Sequence, residues 1–419
     1  MTYWMDLIQT YTLNHVREYH DGTIIDMLPY LEKYAKETIK EIPEWVFDMG
    51  KVDGGQAILP NYQKMVSAPW YVTLPKDLAD QYADVDKMAE IFISSGKRWS
   101  EEPKAIIEEY LEKVAADGKL GKGYTSVYSK SGKEGITGDF GVSYDDPKQI
   151  VTYKYDKPED LDILYMKRDF YNKGYVRKDV LSANEGDANG VPGGNVLFMS
   201  QNWTGIAKPF VTETQFDVPV VQIPISDNFF VPYKPAAGGF AIPSTSKYPD
   251  VAAMLINLMN SSEGIELYNM LVYGFEGTHY KVDKELPGGD KMITPNEYPE
   301  QGTSSCSYGL WKWVVGNAKN AYVTSNQKED FKTVIYEYMN EGENTIVSKL
   351  MGFSLDSSAI DIKLSQISAI DGEYRRTLDS GAVDVDAYVA EMKEKLEKAG
   401  VDEVRTEIQR QVDEFLASK

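Results

Sequence analysis

The sequence predicts an α/β fold divided between two domains, and three observations carry that prediction. Short apolar, β-branched runs such as 195–199 (NVLFM) and 218–224 (VPVVQIP) read as strands, each bounded by turn residues. Apolar residues at helical spacing alternate with them, as in Ile106, Ile107, Tyr110, Leu111 and Val114 ahead of a stop at Gly118. With 419 residues, 42% of them hydrophobic, the chain can bury more core than one domain normally holds.

Taken in order, Leu28, Leu31 and Ala35 repeat at helical spacing, and Ala57, Ile58, Leu59 and Pro60 form a short apolar run behind Gly54 and Gly55. Residues 77–118 are helical in pattern, whereas 117–150 turn rich in Gly, Ser and Tyr and predict loops and short strands. A helix follows over 157–174, where Pro158 suits a first turn and Gly174 an end. The strand beginning at Asn195 runs out at Gln201, Asn202 and Trp203. Residues 236–274 predict strand, loop, helix and helix, with Pro249 at a helix start and Gly274 at an end. Residues 281–310 are polar and predict loop. The last 90 or so residues are mostly helical: Tyr388, Met392 and Leu396 share a face closed by Gly400, and Val404, Ile408, Val412 and Phe415 mark a final helix. Glu391/Lys395 and Glu394/Lys398 are solvent-face pairs.

Charge and composition exclude several classes. A formal net charge of −21 with no Lys/Arg cluster repels a phosphate backbone or an anionic membrane, so nucleic acid is not an expected partner. No stretch approaches the roughly 18 consecutive apolar residues of a membrane span. One cysteine, Cys306, excludes an intrachain disulfide framework and a multi-cysteine metal site. His15, His20 and His279 leave little room for zinc or histidine catalysis, and HExxH, GxSxG, Walker A and GxGxxG patterns are missing. No catalytic residue, metal or cofactor is therefore expected. Residues 185–190 (EGDANG) imitate the start of a calcium loop, but the twelfth position is Val196, which lacks the carboxylate that such a loop requires. A complement of 29 Tyr and 7 Trp offers flat apolar faces with polar edges, which suit neutral polyhydroxylated ligands, although core packing accounts for most of them equally well. The first twenty residues lack the basic start, apolar stretch and cleavage site of a signal peptide.

The order NVLFMSQNWTGIAK, then VPVVQIPI, then AAGGFAIPSTSKYPDVAAMLINLMNSSEGIELYNML resembles the cluster-B (type II) extracellular solute-binding proteins of ABC importers, the group that includes maltose-binding protein. The blocks 267–282 and 352–415, with 51–65 (KVDGGQAILPNYQKM), resemble its larger lipoprotein-type sugar-binding branch, so the likeness covers nearly the whole chain. It implies two α/β lobes joined by hinge strands, with a helical C-terminal region. Lobe one is expected at 1–66 plus 236–285 and lobe two at 67–235 plus 286–419, with crossings near 65–69 and 233–238. The resemblance also implies an export signal and a first strand, helix and strand ahead of Tyr3 and Trp4, so lobe one is expected to be incomplete at its start.

By that resemblance the chain is expected to capture a sugar or oligosaccharide between its lobes, close around it, and deliver it to membrane permease subunits, as a monomer and not as an enzyme. The expected location is the cell surface, as a lipoprotein, or the periplasm, with membrane contact only through a lipid anchor. A carbohydrate-processing enzyme, or a binding protein for a peptide, are the alternatives. Trp203 is the leading sugar platform because maltose-binding protein places a stacking tryptophan at the end of that strand, beside Gln201 and Asn202. Trp4, followed by Asp6, matches an aromatic position of lobe one. Asn61, Tyr62 and Gln63 lie at the approach to the hinge. Trp311 and Trp313 flank Lys312, and only one of the two rings need reach a ligand. Glu276 and His279 follow the helix pair in a turn.

Overall fold

The computed structural model describes residues 15–67, 70–124, 127–130, 132–182, 195–202, 207–212, 219–234, 238–296 and 309–419, together with the backbone of 8–10. Both helices and strands are present, and the chain divides into two units, Met1–Ser67 with Phe230–Ser354 and Ala68–Phe229 with Leu355–Lys419. The stretch 286–354, expected in the second lobe, packs with the first unit. The physical reason is a set of buried contacts with residues 61–65 and 256–269, described below.

In the first unit, Gly239–Ala241 is the middle strand of a three-stranded antiparallel sheet, between Ile8–Thr10 and Leu59–Pro60. Gly239 must lack a side chain, because a Cβ there would stand 2.3 Å from the Leu59 carbonyl oxygen. Ile24, Val52, Ala57, Ile58 and Ala241 form one buried cluster around this sheet. The helix Pro249–Asn260 starts at proline as expected and turns Ala252, Ala253, Ile256 and Met259 inward. The short helices Leu28–Tyr34 and Lys36–Glu41 pack on it. Thr38 donates its hydroxyl and its backbone N–H to Asn257 Oδ1, each at 3.1 Å.

Residues 281–310 were expected to be loop, yet Tyr280–Glu285 and Lys291–Pro295 pair as an antiparallel hairpin, with Val323–Thr324 added in parallel. Its turn passes through Gly288 and Gly289, with φ of 76° and 82°, which only glycine adopts without strain. The sequence reads as polar because most of the hairpin faces solvent, with Tyr280 and Ile293 as its buried anchors.

In the second unit the strands run Phe198–Gln201, Trp70–Pro75, Val220–Pro224, Phe210–Thr212, all antiparallel. The strand Trp70–Pro75 is a central one. Helices Lys76–Tyr82 and Val85–Ser94 pack on Val220–Pro224, and Glu102–Ala116 packs on both of them. Asp84 caps Val85–Ser94 by accepting from the Lys87 N–H. Glu102–Ala116 buries Ile106, Ile107, Tyr110, Leu111 and Val114, the face read from the sequence. The helix Pro158–Asn172 begins at its proline, and the unit ends in Asp361–Ser380, Val385–Lys398 and Val401–Ala417.

The segment 61–65 is held by side-chain amides. Asn61 Oδ1 accepts from the Gly316 N–H at 2.8 Å and its Nδ2 donates to the Gly238 carbonyl at 3.2 Å. Asn340 Oδ1 accepts from the Met65 N–H at 2.9 Å while its Nδ2 donates to the Gln63 carbonyl at 2.6 Å. Replacing Asn340 by Leu strands two buried backbone groups, so the variant is expected to lose about 2 to 4 kcal/mol of stability, measured as a lower urea midpoint at unchanged slope.

Candidate functional site

The residues expected to meet a ligand fall into three groups. Trp4, Asp6 and Trp203 lie outside the described residues, as do 185–190 and Cys306. Asn61, Tyr62 and Gln63 are all buried in the first unit. The Asn61 amide is committed to backbone groups as above, and the Tyr62 hydroxyl donates to the Glu341 carboxylate. Burial and that carboxylate push the Tyr62 phenol far above its ordinary pKa, so it stays protonated. The Tyr62 ring stands edge-on to Trp45 at 6.2 Å and close to Tyr336 at 5.2 Å. The Asn61 amide and the Tyr62 side chain therefore serve the packing of the unit.

Trp311 and Trp313 take opposite environments, because Lys312–Val314 is a turn of 3-10 helix that separates neighbouring side chains. Trp311 is 53% exposed. Trp313 is half-buried, 6.4 Å from the Phe331 ring. Between the two, the buried Lys312 sends its ammonium over Trp313 at 4.9 Å and Phe331 at 5.3 Å. Burial, helped by the neighbouring Lys332, pulls the Lys312 pKa down to about 8. Glu276 and His279 make turn contacts: His279 Nδ1 accepts from the Phe275 N–H at 3.0 Å, and Glu276 lies 3.7 Å from the Lys291 ammonium.

Another arrangement gathers at the open end of the second unit's sheet. Trp70 and Gln201 are paired across neighbouring strands, and Asn202 follows at once. The half-buried Trp70 ring lies 4.6 Å from the Tyr128 ring at 39°, and Tyr128 is 44% exposed. The backbone of Tyr128 is fixed from behind, since its carbonyl accepts from Nε1 of the fully buried Trp99 at 2.8 Å. On the other face of the sheet Thr73, Ser200, Gln222 and Asn202 form a chain. Thr73 and Ser200 share a hydroxyl hydrogen bond, Gln222 Nε2 donates to Ser200 at 2.5 Å, and Asn202 Nδ2 donates to Gln222 Oε1 at 2.8 Å. Every member of that chain is uncharged, and it sets the strand end from which Gln201 and Asn202 project. Two tilted rings next to the exposed, neutral amide of Gln201 suit a molecule with C–H faces and hydroxyl edges.

Asn202 was foreseen, whereas Trp70 and Tyr128 were not. The run WYVTL, bounded by Pro69 and Pro75, is aromatic and β-branched, and that signal marks a strand with an indole at its mouth. Tyr128 lies in a Gly/Ser/Tyr-rich stretch whose pattern carries no such signal.

Among the described residues no group of three or more His, Cys, Asp or Glu is placed to hold a metal, and no helix is long and apolar enough to cross a membrane.

A family profile described as a domain of unknown function, DUF3502, matches residues 349–417. A carbohydrate ABC transporter substrate-binding protein of Streptococcus pneumoniae serotype 4 is 24% identical over 278 residues, 64% of this chain and 52% of that protein. The chain thus spans about half the length of the curated relative it matches. Among solved structures, the N-glycan transport solute-binding protein NgtS of S. pneumoniae superposes with a TM-score of 0.73 at 19% identity, over 98% of this chain and 86% of that one. NgtS in complex with Man5GlcNAc gives 0.60 at 19% identity, over 99% and 86%. A solute-binding protein of Bifidobacterium longum infantis, described as HMO binding and associated with an ABC transporter, gives 0.57 at 14% identity, over 97% and 87%. The α/β fold of this chain is that of the ABC-importer solute-binding proteins.

Lys312 yields a pH prediction with a definite sign. Its folded pKa of about 8 lies below the unfolded value, so above pH 8 the unfolded chain binds the extra proton and stability rises with pH. Relative to Lys312→Met, the wild-type unfolding free energy is expected to gain about 2 kcal/mol between pH 7.5 and 9.5, measured by denaturant titration at each pH.

Proposed function

We propose that this chain is the solute-binding protein of an ABC importer, that its solute is a sugar or oligosaccharide, and that it hands this solute to membrane permease subunits. The observation that carries the reading is the Trp70–Tyr128 ring pair at the strand end bearing Gln201 and Asn202. Such rings bury the C–H face of a pyranose, and the neutral Gln201 amide takes up hydroxyls that would be costly to leave unpaired. The likeness to a carbohydrate substrate-binding protein, and to structures that hold oligosaccharides, supports the same reading.

In this reading Trp203, next to Asn202, supplies a further ring. Trp4 with Asp6, and the exposed Trp311, are further ligand-binding candidates. Asn61, Tyr62 and Gln63 are buried within the first unit. Reversible capture needs no acid/base pair, so the protein binds its solute and leaves it intact. It works outside the cell as a monomer, held at the surface by a lipid anchor.

Calorimetry against a panel of neutral oligosaccharides tests the proposal. At least one is expected to bind, and Trp70→Ala is expected to weaken it about 10- to 100-fold with the melting temperature little changed. Equal affinity in the variant removes the ring pair from the site. Shortened oligosaccharide products after incubation with the pure protein would exclude the importer reading altogether.

A further inference from the structure

The proposed sugar platform draws on none of the three C-terminal helices, Asp361–Ser380, Val385–Lys398 and Val401–Ala417, although they fill most of the stretch matched by the domain of unknown function. Their polar side chains converge elsewhere in the same unit, on the loop 149–156. That loop carries two residues in the left-handed region, Gln149 with φ 50° and Tyr155 with φ 67°. Neither is glycine, and both are buried. L-residues with a bulky side chain persist there only where surrounding contacts dictate the backbone.

Part of that constraint is local, since Gln149 Nε2 donates to the carbonyls of Ser143 at 3.1 Å and Asp146 at 2.5 Å. A further part comes from the last helix. Gln409 Oε1 accepts from the Val151 N–H at 2.7 Å, and Gln409 Nε2 reaches the Gln149 carbonyl at 3.4 Å. One turn earlier, Arg405 donates to Asp156 Oδ2 at 3.0 Å, the same oxygen that accepts from the Tyr153 N–H at 2.7 Å. Residues four apart on a helix share a face, so Arg405 and Gln409 grip both ends of the loop from one side. Asp361–Ser380 holds the flanking antiparallel hairpin of Lys133–Thr137 and Phe140–Ser143: Arg375 bridges Asp371 on its own helix, at 2.6 Å, and Asp139, at 2.7 Å. Gly141 of that hairpin exchanges backbone hydrogen bonds with Thr152 at 2.9 and 3.0 Å.

We infer that the C-terminal helical segment is a clasp: its function is to hold the loop 149–156 in a conformation the loop does not keep by itself, through Gln409 and Arg405. Adhesion of the segment to the unit is a separate matter, supplied by buried Ile367, Tyr374, Leu378, Val404, Ile408 and Val412. The clasp does not depend on the identity of the solute.

Amide hydrogen exchange on the full chain, read by mass spectrometry, tests it. In Arg405→Leu/Gln409→Leu, peptides covering 149–156 are expected to exchange about tenfold faster or more, while peptides covering Trp70–Pro75 and Val220–Pro224 keep their rates. Arg405→Lys retains a donor to Asp156 and leaves Gln409 in place, and is expected to stay within about twofold of wild type. Should the double Leu variant lose cooperative melting, Gln409→Ala alone reads the same peptides. Unchanged exchange of 149–156 in a folded Leu or Ala variant, or acceleration spread evenly over the unit, overturns the inference.

Discussion

The first unit depends on buried asparagine amides. Asn61, Asn257, Asn269, Asn317, Asn320 and Asn340 are all buried, and each meets a backbone group that no helix or sheet satisfies. Asn269 donates to the Asn320 carbonyl and accepts from the Tyr322 N–H, each at 2.8 Å, and Asn320 donates to the Ser261 carbonyl at 2.9 Å. A primary amide offers a donor and an acceptor on one short stem, so it can substitute for a missing peptide partner. An irregular strip such as 309–322 could not otherwise lie against the helices Pro249–Asn260 and Ile265–Tyr273 without orphaned N–H and C=O groups. Those amides are why 286–354 belongs with the first unit.

The second unit solves a similar problem with hydroxyls and glutamine. The Thr73–Ser200–Gln222–Asn202 chain threads polar groups across three strands, and each member is paired by the next. A fully connected network of this kind sets side-chain orientation, because breaking any link leaves a buried polar atom unmatched. Rigidity at the end of the strand Phe198–Gln201 then follows from interior chemistry, while the rings of Trp70 and Tyr128 remain available at the surface. Formal charge plays little part there, despite a net of −21 for the whole chain.

Much of the fold was legible in residue patterns. Proline starts and apolar faces located Pro158–Asn172, Pro249–Asn260 and Val401–Ala417, since a helix repeats its buried face and so repeats its signal. The strand Trp70–Pro75 was missed because both its faces are covered, leaving no alternation, although its aromatic and β-branched content was there to be read. The hairpin over 280–295 was missed for the opposite reason, having too few buried residues to show a period. Site residues were less legible. An asparagine in a buried lattice and an asparagine facing a sugar are the same letter, and only the position of Gly316 and Gly238 reveals which of the two Asn61 is. Tyr128 comes next to Trp70 through tertiary packing, which no local spacing encodes.

Both units are discontinuous in sequence, and this shapes how the chain emerges from a ribosome. Thr38 and its partner Asn257 lie 219 positions apart, a delay of about 10 to 40 s at ordinary elongation speeds. Throughout that interval the opening helices have no Pro249–Asn260 to cover them, and Leu59–Pro60 has no Gly239–Ala241 beside it. The four-stranded sheet of the second unit is complete by Pro224 and can assemble before those partners are made. Translation order thereby leaves residues 28–60 waiting for partners made much later in the chain, whereas the strands of the second unit find theirs early.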